Sequence, residues 1–254
     1  MAVVLLLFFC LSATAQAESV NIWIGKEAFE NPEAAVQVKP DVLHVTRCSL
    51  YPWDEEKTKY SLFVEIENAS DQKIAIDESE LHACNAKKET KGEYADAMRM
   101  TNRYMQPGEK AIFYAGAEPY FKTIYDPKAN HMSYERDDGL ESFAFKISRA
   151  DVLRIRLSVR SMETIDKQMS EKTDARAWIE DGRLFFEQKG TDEQMVLGVA
   201  VFDRQGRIMD VMDGIGLKRL EKGKTFSMSR SLPPYITEDM LDGAETEIYL
   251  YHWK

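Results

Sequence analysis

The sequence predicts an all-β protein made of two tandem antiparallel β-sandwich domains that follow a signal peptide. Three observations lead to this prediction. Short segments that alternate apolar and polar residues are separated by turn clusters of Gly, Pro, Asn and Asp. One order of such segments occurs twice along the chain. No long amphipathic helices alternate with the strands, so a doubly wound nucleotide-binding fold is not expected.

The N-terminus has the features of an export signal. An apolar run from Ala2 to Leu11 is followed by small residues that end in Ala15-Gln16-Ala17, an A-x-A cleavage pattern. The run is too short for a membrane span, which takes about 20 apolar residues. No Lys or Arg precedes it, which a missing upstream start would explain; an uncleaved anchor is the less favoured alternative. We expect residues 1–17 to be removed and the mature chain to be periplasmic or secreted, without a membrane span.

An internal repeat accounts for most of the remaining chain. "GEKAIFYAGAEPY" (108–120) and "GKTFSMSRSLPPY" (223–235) place Gly, Pro and Tyr at the same separations. Upstream, Leu62-Phe63-x-Glu65 matches Leu184-Phe185-x-Glu187 in the same order. Each copy ends on a strongly alternating strand. The first copy is longer mainly because it carries an insertion at 122–143.

Part of the second copy resembles a known family. "LGVAVFDRQGRIMD" (197–210), followed by "LKRLEKGKTFSM" (217–228), is similar to the bacterial extracytoplasmic FxLYD-type domains. At the signature stretch this chain has Val199 in place of the first Phe and Phe202 in place of the Tyr, followed by Asp203. The resemblance implies small Ig-like sandwiches outside the cytoplasm. It brings no catalytic residues with it.

These observations define the predicted domain organisation. The polar stretch between the two copies lacks alternation and is predicted to be a linker. The predicted order is a signal peptide (1–17), an N-terminal arm (18–40), a first Ig-like β-sandwich (41–161), a linker (162–174) and a second Ig-like β-sandwich (175–254).

Two cysteines, Cys48 and Cys84, remain after removal of the signal peptide. In an oxidising compartment such a pair predicts one disulfide, which would contribute about 3–4 kcal/mol by the chain-entropy model. The alternative is a metal site, since His44 precedes Cys48 and His82 precedes Cys84 at short spacing. Four residues of strand span about 13 Å, so His44 and Cys48 would not reach one ion. The disulfide is therefore the prediction, and no metal is expected.

Two weaker metal hypotheses stay open alongside that prediction. Soft ligands for cuprous copper are Met98, Met100, Met105 and the His131-Met132 pair. Oxygen ligands for calcium are Asp137, Asp138 and Glu141, but the alternate spacing of a calcium loop is absent.

The charge and the motifs exclude several function classes. A net charge of -10 argues against nucleic acid or an anionic membrane as the main partner. The chain contains no G-x-S-x-G, H-E-x-x-H, P-loop or G-x-G-x-x-G motif. We therefore predict a protein that is not an enzyme and needs no cofactor.

One candidate binding surface lies on the strand "VLRIRLSVRS". Alternation places Arg154, Arg156 and Arg160 on one face, where they could receive an anion or a sugar acid. The alternative is a solvated sheet face whose charge is neutralised by Glu65 and Glu67 on a neighbouring strand.

A second candidate surface lies on the last strand, where Tyr249, Tyr251 and Trp253 share a face. Aromatic residues of this kind stack on sugar rings or anchor a protein partner. The alternative is a strand buried on both faces or covered by the neighbouring domain.

Together these features predict a non-catalytic binding or assembly module. Its expected partner is an envelope or extracellular protein. The alternative is a carbohydrate-binding accessory protein that uses the aromatic strand face, and a second alternative is an extracellular hydrolase.

Overall fold

The structure is a computed structural model of the chain. It describes residues 17–29, 31, 34–37, 41–53, 55, 60–116, 120–129, 131–137, 150–165, 167–169, 175–189, 194–213 and 224–253. Only the backbone is described at 91–97, 116, 120–123, 134–137, 167–169, 194–197 and 250–253. The predicted signal peptide, apart from Ala17, lies outside the described residues.

The first half of the chain forms two sheets, whose strands are numbered in chain order. Sheet A contains, in order of pairing, β2 (Val36–Gln37), β1 (Glu18–Ile24), β12 (Val152–Met162), β5 (Lys73–Cys84) and β6 (Thr90–Ala97), with β8 (Tyr104–Met105) also paired to β5. Sheet B contains β3 (Leu43–Pro52), β4 (Tyr60–Asn68), β9 (Lys110–Gly116) and β7 (Arg99–Met100). A short 3₁₀ helix (Lys26–Phe29) follows β1.

The second half forms two further sheets. Sheet C contains β10 (Tyr120–Asp126), β11 (His131–Asp137), β18 (Thr225–Ser231), β15 (Arg183–Lys189) and β14 (Ala175–Glu180). Sheet D contains β13 (Lys167–Met169), β19 (Glu245–Trp253), β16 (Gln194–Phe202) and β17 (Ile208–Asp213). One helical turn, α1 (Glu238–Leu241), precedes β19. No helix among the described residues has the length and apolar composition that crossing a bilayer requires.

The two halves pair their strands in the same order. Strands β1, β3, β4, β5, β6, β9 and β12 of the first half correspond to β13 through β19 of the second. In each half the first, seventh, fourth and fifth of these strands form one sheet, and the second, third and sixth form the other. The immunoglobulin order instead joins strands one, two, five and four, and strands three, six and seven. The all-β prediction is confirmed, whereas the Ig-like strand order is not found among the described strands.

Two apolar cores hold the paired sheets together. Alternating residues of β1, β12 and β5 point from sheet A towards sheet B, and include Val20, Ile22 and Leu157, each fully buried. Between sheets C and D, Leu184 and Phe186 are buried in a second cluster. Each sandwich thus buries the apolar face that its strand alternation predicts.

A third apolar cluster lies between sheets B and D, and we call it the central layer. Its buried members are Phe63, Ile112 and Tyr114 from sheet B, and Ala200, Phe202, Ile208, Val211 and Tyr249 from sheet D. The Ser49 hydroxyl also donates to the backbone oxygen of Ile208 at 2.5 Å. Sheets B and D are therefore buried on both faces, and the four sheets stack in the order A, B, D, C.

Charged and aromatic side chains complete the central layer. Glu65 is 1% exposed and lies 3.4 Å from Arg47 and 3.3 Å from Lys110. The Arg47 guanidinium in turn lies 4.7 Å from the ring centre of Phe202. The alternative to the arginine binding surface gave Glu65 as a neutralising partner of β12. Glu65 does not have that role, because it points away from sheet A and pairs with Arg47 and Lys110.

The inserted hairpin β10–β11 crosses from the first half to the second. It follows β9 along the chain, but β11 pairs with β18 in sheet C. This pairing is parallel, whereas every other described strand pair is antiparallel. Residues 120–137 fall within the range predicted as the first sandwich, yet their strands extend a sheet of the second half. In the same way β1 lies in the predicted arm and β13 in the predicted linker, and both are paired strands of a sheet.

Removal of one aromatic ring from either side of the central layer tests this arrangement. Phe63→Ala and Phe202→Ala should each lower the free energy of unfolding by about 3–5 kcal/mol, because each change leaves a cavity in a packed layer. Tyr125→Ala is the control, since its ring is 56% exposed and its loss should cost about 0.5 kcal/mol or less.

The measurement is equilibrium denaturation followed by far-ultraviolet circular dichroism and by tryptophan fluorescence. Because the central layer joins both halves, the two probes should report one coincident transition. Two separate unfolding transitions would contradict the shared layer if Phe63→Ala shifted the midpoint of only one of them.

Candidate functional site

The outer face of sheet C carries an ordered array of polar and aromatic side chains. The strand register aligns them in three rows across the sheet. The rows are His131, Ser227, Glu187 and Arg176; Ser133, Ser229, Phe185 and Trp178; and Ser231, Arg183 and Glu180. We call this surface the serine face, after the three serines of β18.

Strict alternation in β18 produces the serine column. Ser227, Ser229 and Ser231 point outward, while Met228 packs inward in the core between sheets C and D. His131, supplied by the inserted hairpin, places Nδ1 2.8 Å from the Ser227 hydroxyl and Nε2 3.4 Å from the Ser229 hydroxyl. Ser229 is only 2% exposed, so the histidine and its neighbours cover the middle of the column.

Arg183 borders the column on the opposite side. Its Nη2 donates to the Ser229 hydroxyl at 3.1 Å and its Nη1 donates to the Ser231 hydroxyl at 3.3 Å. Glu180 is directly opposite in the register, but its carboxylate accepts a hydrogen bond from Trp178 Nε1 at 3.4 Å. No carboxylate of the described residues lies within 4.0 Å of the Arg183 guanidinium. Two hydroxyls therefore orient a cation whose charge is not neutralised locally.

An aromatic pair lies next to this arginine. The rings of Trp178 and Phe185 stack with centroids 5.2 Å apart and planes 8° from parallel. The guanidinium of Arg176 lies 4.8 Å from the Trp178 ring centre and makes a 3.0 Å ion pair with Glu187. Both rings remain partly exposed. Among the described side chains, the serine face therefore combines partly exposed rings, hydroxyl groups and a guanidinium, that of Arg183, without a carboxylate partner.

A buried ion pair, Arg230–Asp210, anchors β18 on the core side of sheet C. Arg230 points inward from β18 and donates to Asp210 on β17. Burial raises the pKa of the Asp210 carboxyl, and the Arg230 charge opposes that rise. Since both groups lie inside the second sandwich, the pair ties β18 to sheet D and holds the alternate serines outward.

The first half of the chain contains the equivalent face, but there it is buried. By register, Phe63 corresponds to Phe185, and the Arg47–Glu65 ion pair corresponds to Arg176–Glu187. Four equivalent positions carry different residues in the first and the second half, respectively: Ile112 and Ser227, Tyr114 and Ser229, Ser49 and Trp178, Ser61 and Arg183. Sheet D covers Ile112, Tyr114 and Ser49, and Ser61 is also buried. On the open face of sheet C, serines stand at the positions that Ile112 and Tyr114 occupy on sheet B. Trp178 and Arg183 stand at the positions that serines occupy on sheet B.

The three arginines predicted as a binding surface do lie together on the outer face of sheet A. Two of them have carboxylate partners on β5. Arg160 makes a two-pronged contact with Asp77 at 3.2 and 3.3 Å, and Arg156 lies 3.7 Å from Glu80. Arg154 lies 5.7 Å from the ring centre of Trp23 on β1. The charge of this face is thus largely neutralised within the sheet.

The aromatic strand face is not assembled as predicted. Tyr249 is 2% exposed and packs in the central layer, where burial raises its pKa well above the ordinary value. It therefore presents no surface to a ligand. The side chains of Tyr251 and Trp253 lie outside the described residues.

The predicted disulfide between Cys48 and Cys84 is not formed. Both thiols are buried and unbonded. Cys48 packs in the core between sheets A and B, whereas Cys84 ends β5 outside that cluster. Burial raises the pKa of both thiols, and nearby Arg154 partly opposes the rise at Cys84.

The described part of the chain contains no assembled His, Cys, Asp or Glu site for a metal ion. No group of three or more His, Cys, Asp or Glu side chains there could hold an ion. Met98 and Met105 are buried in the core of the first sandwich. Asp138 and Glu141 lie outside the described residues.

The chain was compared with protein-family models, with curated proteins and with solved structures. None of the three comparisons found a match.

A thiol titration distinguishes the observed state of the cysteines from the predicted one. The mature chain, purified without reductant and unfolded in guanidinium, should release two thiols that react with Ellman's reagent. The folded protein should react slowly, because burial keeps both thiols protonated and inaccessible. An unfolded, unreduced sample with no reactive thiol would show that the disulfide forms after all.

The buried ion pair below the serine column gives a second test. Asp210→Leu should destabilise the protein by about 3–5 kcal/mol, because Arg230 stays buried without this carboxylate. The double variant Asp210→Leu/Arg230→Met should be clearly more stable than the single variant, since no buried charge remains. Equal stability of the two variants in urea denaturation would rule out a buried, coupled pair.

Proposed function

We propose that this protein is an exported, non-catalytic binding module built from two copies of one sandwich plan, and that it binds its ligand on the serine face. The common pairing order of the two halves and their matching Arg–Glu pairs support the tandem organisation. The apolar N-terminal run and its A-x-A pattern support export.

The observation that carries this proposal is the environment of Arg183. A guanidinium on an acidic protein is normally paired, as Arg156 and Arg160 are on sheet A. Arg183 is instead oriented by Ser229 and Ser231 beside a partly exposed aromatic pair. Such a combination of a directed cation, hydroxyls and ring surface is suited to recognition of a ligand.

The contacts of Ser229 support binding rather than nucleophilic catalysis. In a hydrolase triad, the histidine next to the serine is oriented by a carboxylate on its other ring nitrogen. Here the other nitrogen of His131 contacts the hydroxyl of Ser227. Ser229 also accepts a hydrogen bond from Arg183 and is almost fully buried, so its hydroxyl has a structural role.

A ligand screen with two matched tryptophan variants tests the proposal. Trp178→Ala should lower the affinity for a specific ligand by about tenfold or more, which is the effect of removing an aromatic anchor from a binding surface. Trp23→Ala is the control. Trp23 is also partly exposed and lies 4.9 Å from a cation, Lys88, but on the outer face of sheet A.

Wild-type and variant proteins would be applied to a glycan array and to envelope extracts. We expect ligands that Trp23→Ala retains and Trp178→Ala loses. Ligands lost by Trp23→Ala alone would instead assign binding to the arginine face of sheet A and overturn the proposal.

A protein partner at strand β10 is the second candidate function. This strand forms an edge of sheet C, and it carries the two exposed large apolar residues of the described chain, Ile124 at 36% and Tyr125 at 56%. Edge strands accept an added strand from another protein. Capture of an envelope protein that Trp178→Ala retains and Tyr125→Lys loses would favour this candidate.

A further inference from the structure

We infer that the ligand of the serine face is an acidic polysaccharide, an extended sugar chain that bears carboxylate or sulfate groups. This inference rests on the proposed function and adds the chemical class of the ligand. It is carried by the direction of the serine column, by the mixture of hydrogen-bonding groups around it and by the isolated charge of Arg183.

The serine column favours an extended ligand. Outward residues of one strand are spaced about 6.6 Å apart, so the hydroxyls from Ser227 to Ser231 follow a line of about 13 Å. His131 lies along one side of this line, and Phe185 and Arg183 lie along the other. A chain that follows β18 would meet the partly exposed hydroxyls of Ser227 and Ser231. His131 and Arg183 contact the buried Ser229 between them.

The chemistry of the face favours sugar over peptide. Peptides usually add to the edge of a sheet, where backbone groups are available, whereas this surface is a sheet face recognised through side chains. Serine hydroxyls both donate and accept hydrogen bonds, and the ring nitrogens of His131 add further polar groups, which suits the hydroxyl groups of a sugar. Trp178 and Phe185 each cover one face of the other, and Arg176 lies over Trp178, but both residues remain partly exposed. Their remaining apolar surface can contact the carbon-bound hydrogens of a sugar.

The electrostatics of the face favour an acidic sugar. The other arginine described on this surface, Arg176, is neutralised by Glu187 at 3.0 Å, whereas Arg183 makes no ion pair with a described residue. Lys189, exposed at the far end of β15, is a second cation on this face. The planar guanidinium of Arg183 binds carboxylate and sulfate through paired hydrogen bonds. One such guanidinium suits a polymer with isolated acidic groups. Nucleic acid, with a phosphate at every residue, would be repelled by a protein of net charge -10.

The test uses isothermal titration calorimetry with the mature chain. The probes are a partly methyl-esterified oligogalacturonate with isolated free carboxylates, its fully methyl-esterified form of the same length, a galactan oligosaccharide with isolated sulfate groups, and oligo-deoxythymidine. We expect the acidic sugars to bind at least about tenfold more tightly than the neutral ester, which equals one charge-assisted contact of about 1.4 kcal/mol. The two acidic probes show whether carboxylate or sulfate is preferred.

Arginine variants identify the group responsible. Arg183→Gln should remove the preference for the acidic over the neutral sugar while retaining the thermal midpoint, because Arg183 is partly exposed and has no ion pair with a described residue. Arg176→Gln is the matched control on the same face and should keep most of the preference. Trp178→Ala should weaken the acidic and the neutral sugar alike.

The outcomes separate this inference from the proposed function. Equal binding of neutral and acidic sugars that depends on Trp178 would overturn the acidic ligand and retain the binding face. Binding of oligo-deoxythymidine in preference to the sugars would replace polysaccharide by nucleic acid. Unchanged affinities in both Trp178→Ala and Arg183→Gln would remove the serine face as a site, and the inference with it.

Discussion

The apolar layer between sheets B and D is the constraint on which the rest of the molecule depends. An isolated sandwich has two sheets, each with one face towards the core and one towards water. Here the two middle sheets have no water-facing side, so their strands need apolar residues at successive positions. This explains why Val64, Phe63 and Ile112 are all buried although alternation alone would expose some of them. It also places a buried acid, Glu65, where Arg47 and Lys110 must accompany it.

The same layer accounts for the site. Each half of the chain presents an equivalent face on the sheet that contains its second, third and sixth strands, with an Arg–Glu pair and a Phe at matching positions. Only one of these faces can pack against the other half in a linear stack of four sheets. The face on sheet C is therefore left at the end of the stack. Serines at the positions of Ile112 and Tyr114 show that it is not a second copy of the buried interface. Its side chains instead suit contact with water or a polar ligand.

Local patterns in the sequence were sufficient for much of the fold but not for the site. Alternation, turn residues and the repeated Leu-Phe-x-Glu segments predicted the strands and their repetition, because these signals act over a few residues. They carried no information about which face another sheet would cover. Tyr249 was therefore a plausible platform by sequence and is buried in the structure. Arg154, Arg156 and Arg160 were visible within one strand, whereas Arg183, Trp178 and His131 come from three strands that only the register brings together. The alternating serines of "TFSMSRS" were the one local signal of the serine face, and alone they are typical of any exposed strand.

The parallel pairing of β11 with β18 has a consequence for how the protein is made. Ser227 follows His131 by 96 residues, so the hairpin is synthesised well before its partner strand. During that interval its free edge is open to the wrong strand, and such long-range pairings form slowly. The first half cannot reach its final arrangement by itself, because its inserted hairpin belongs to a sheet whose remaining strands are encoded downstream. A fragment that ends between the two repeats would thus contain a hairpin whose edge strand has no partner. A chaperone that binds unpaired strands would therefore aid folding of the whole chain.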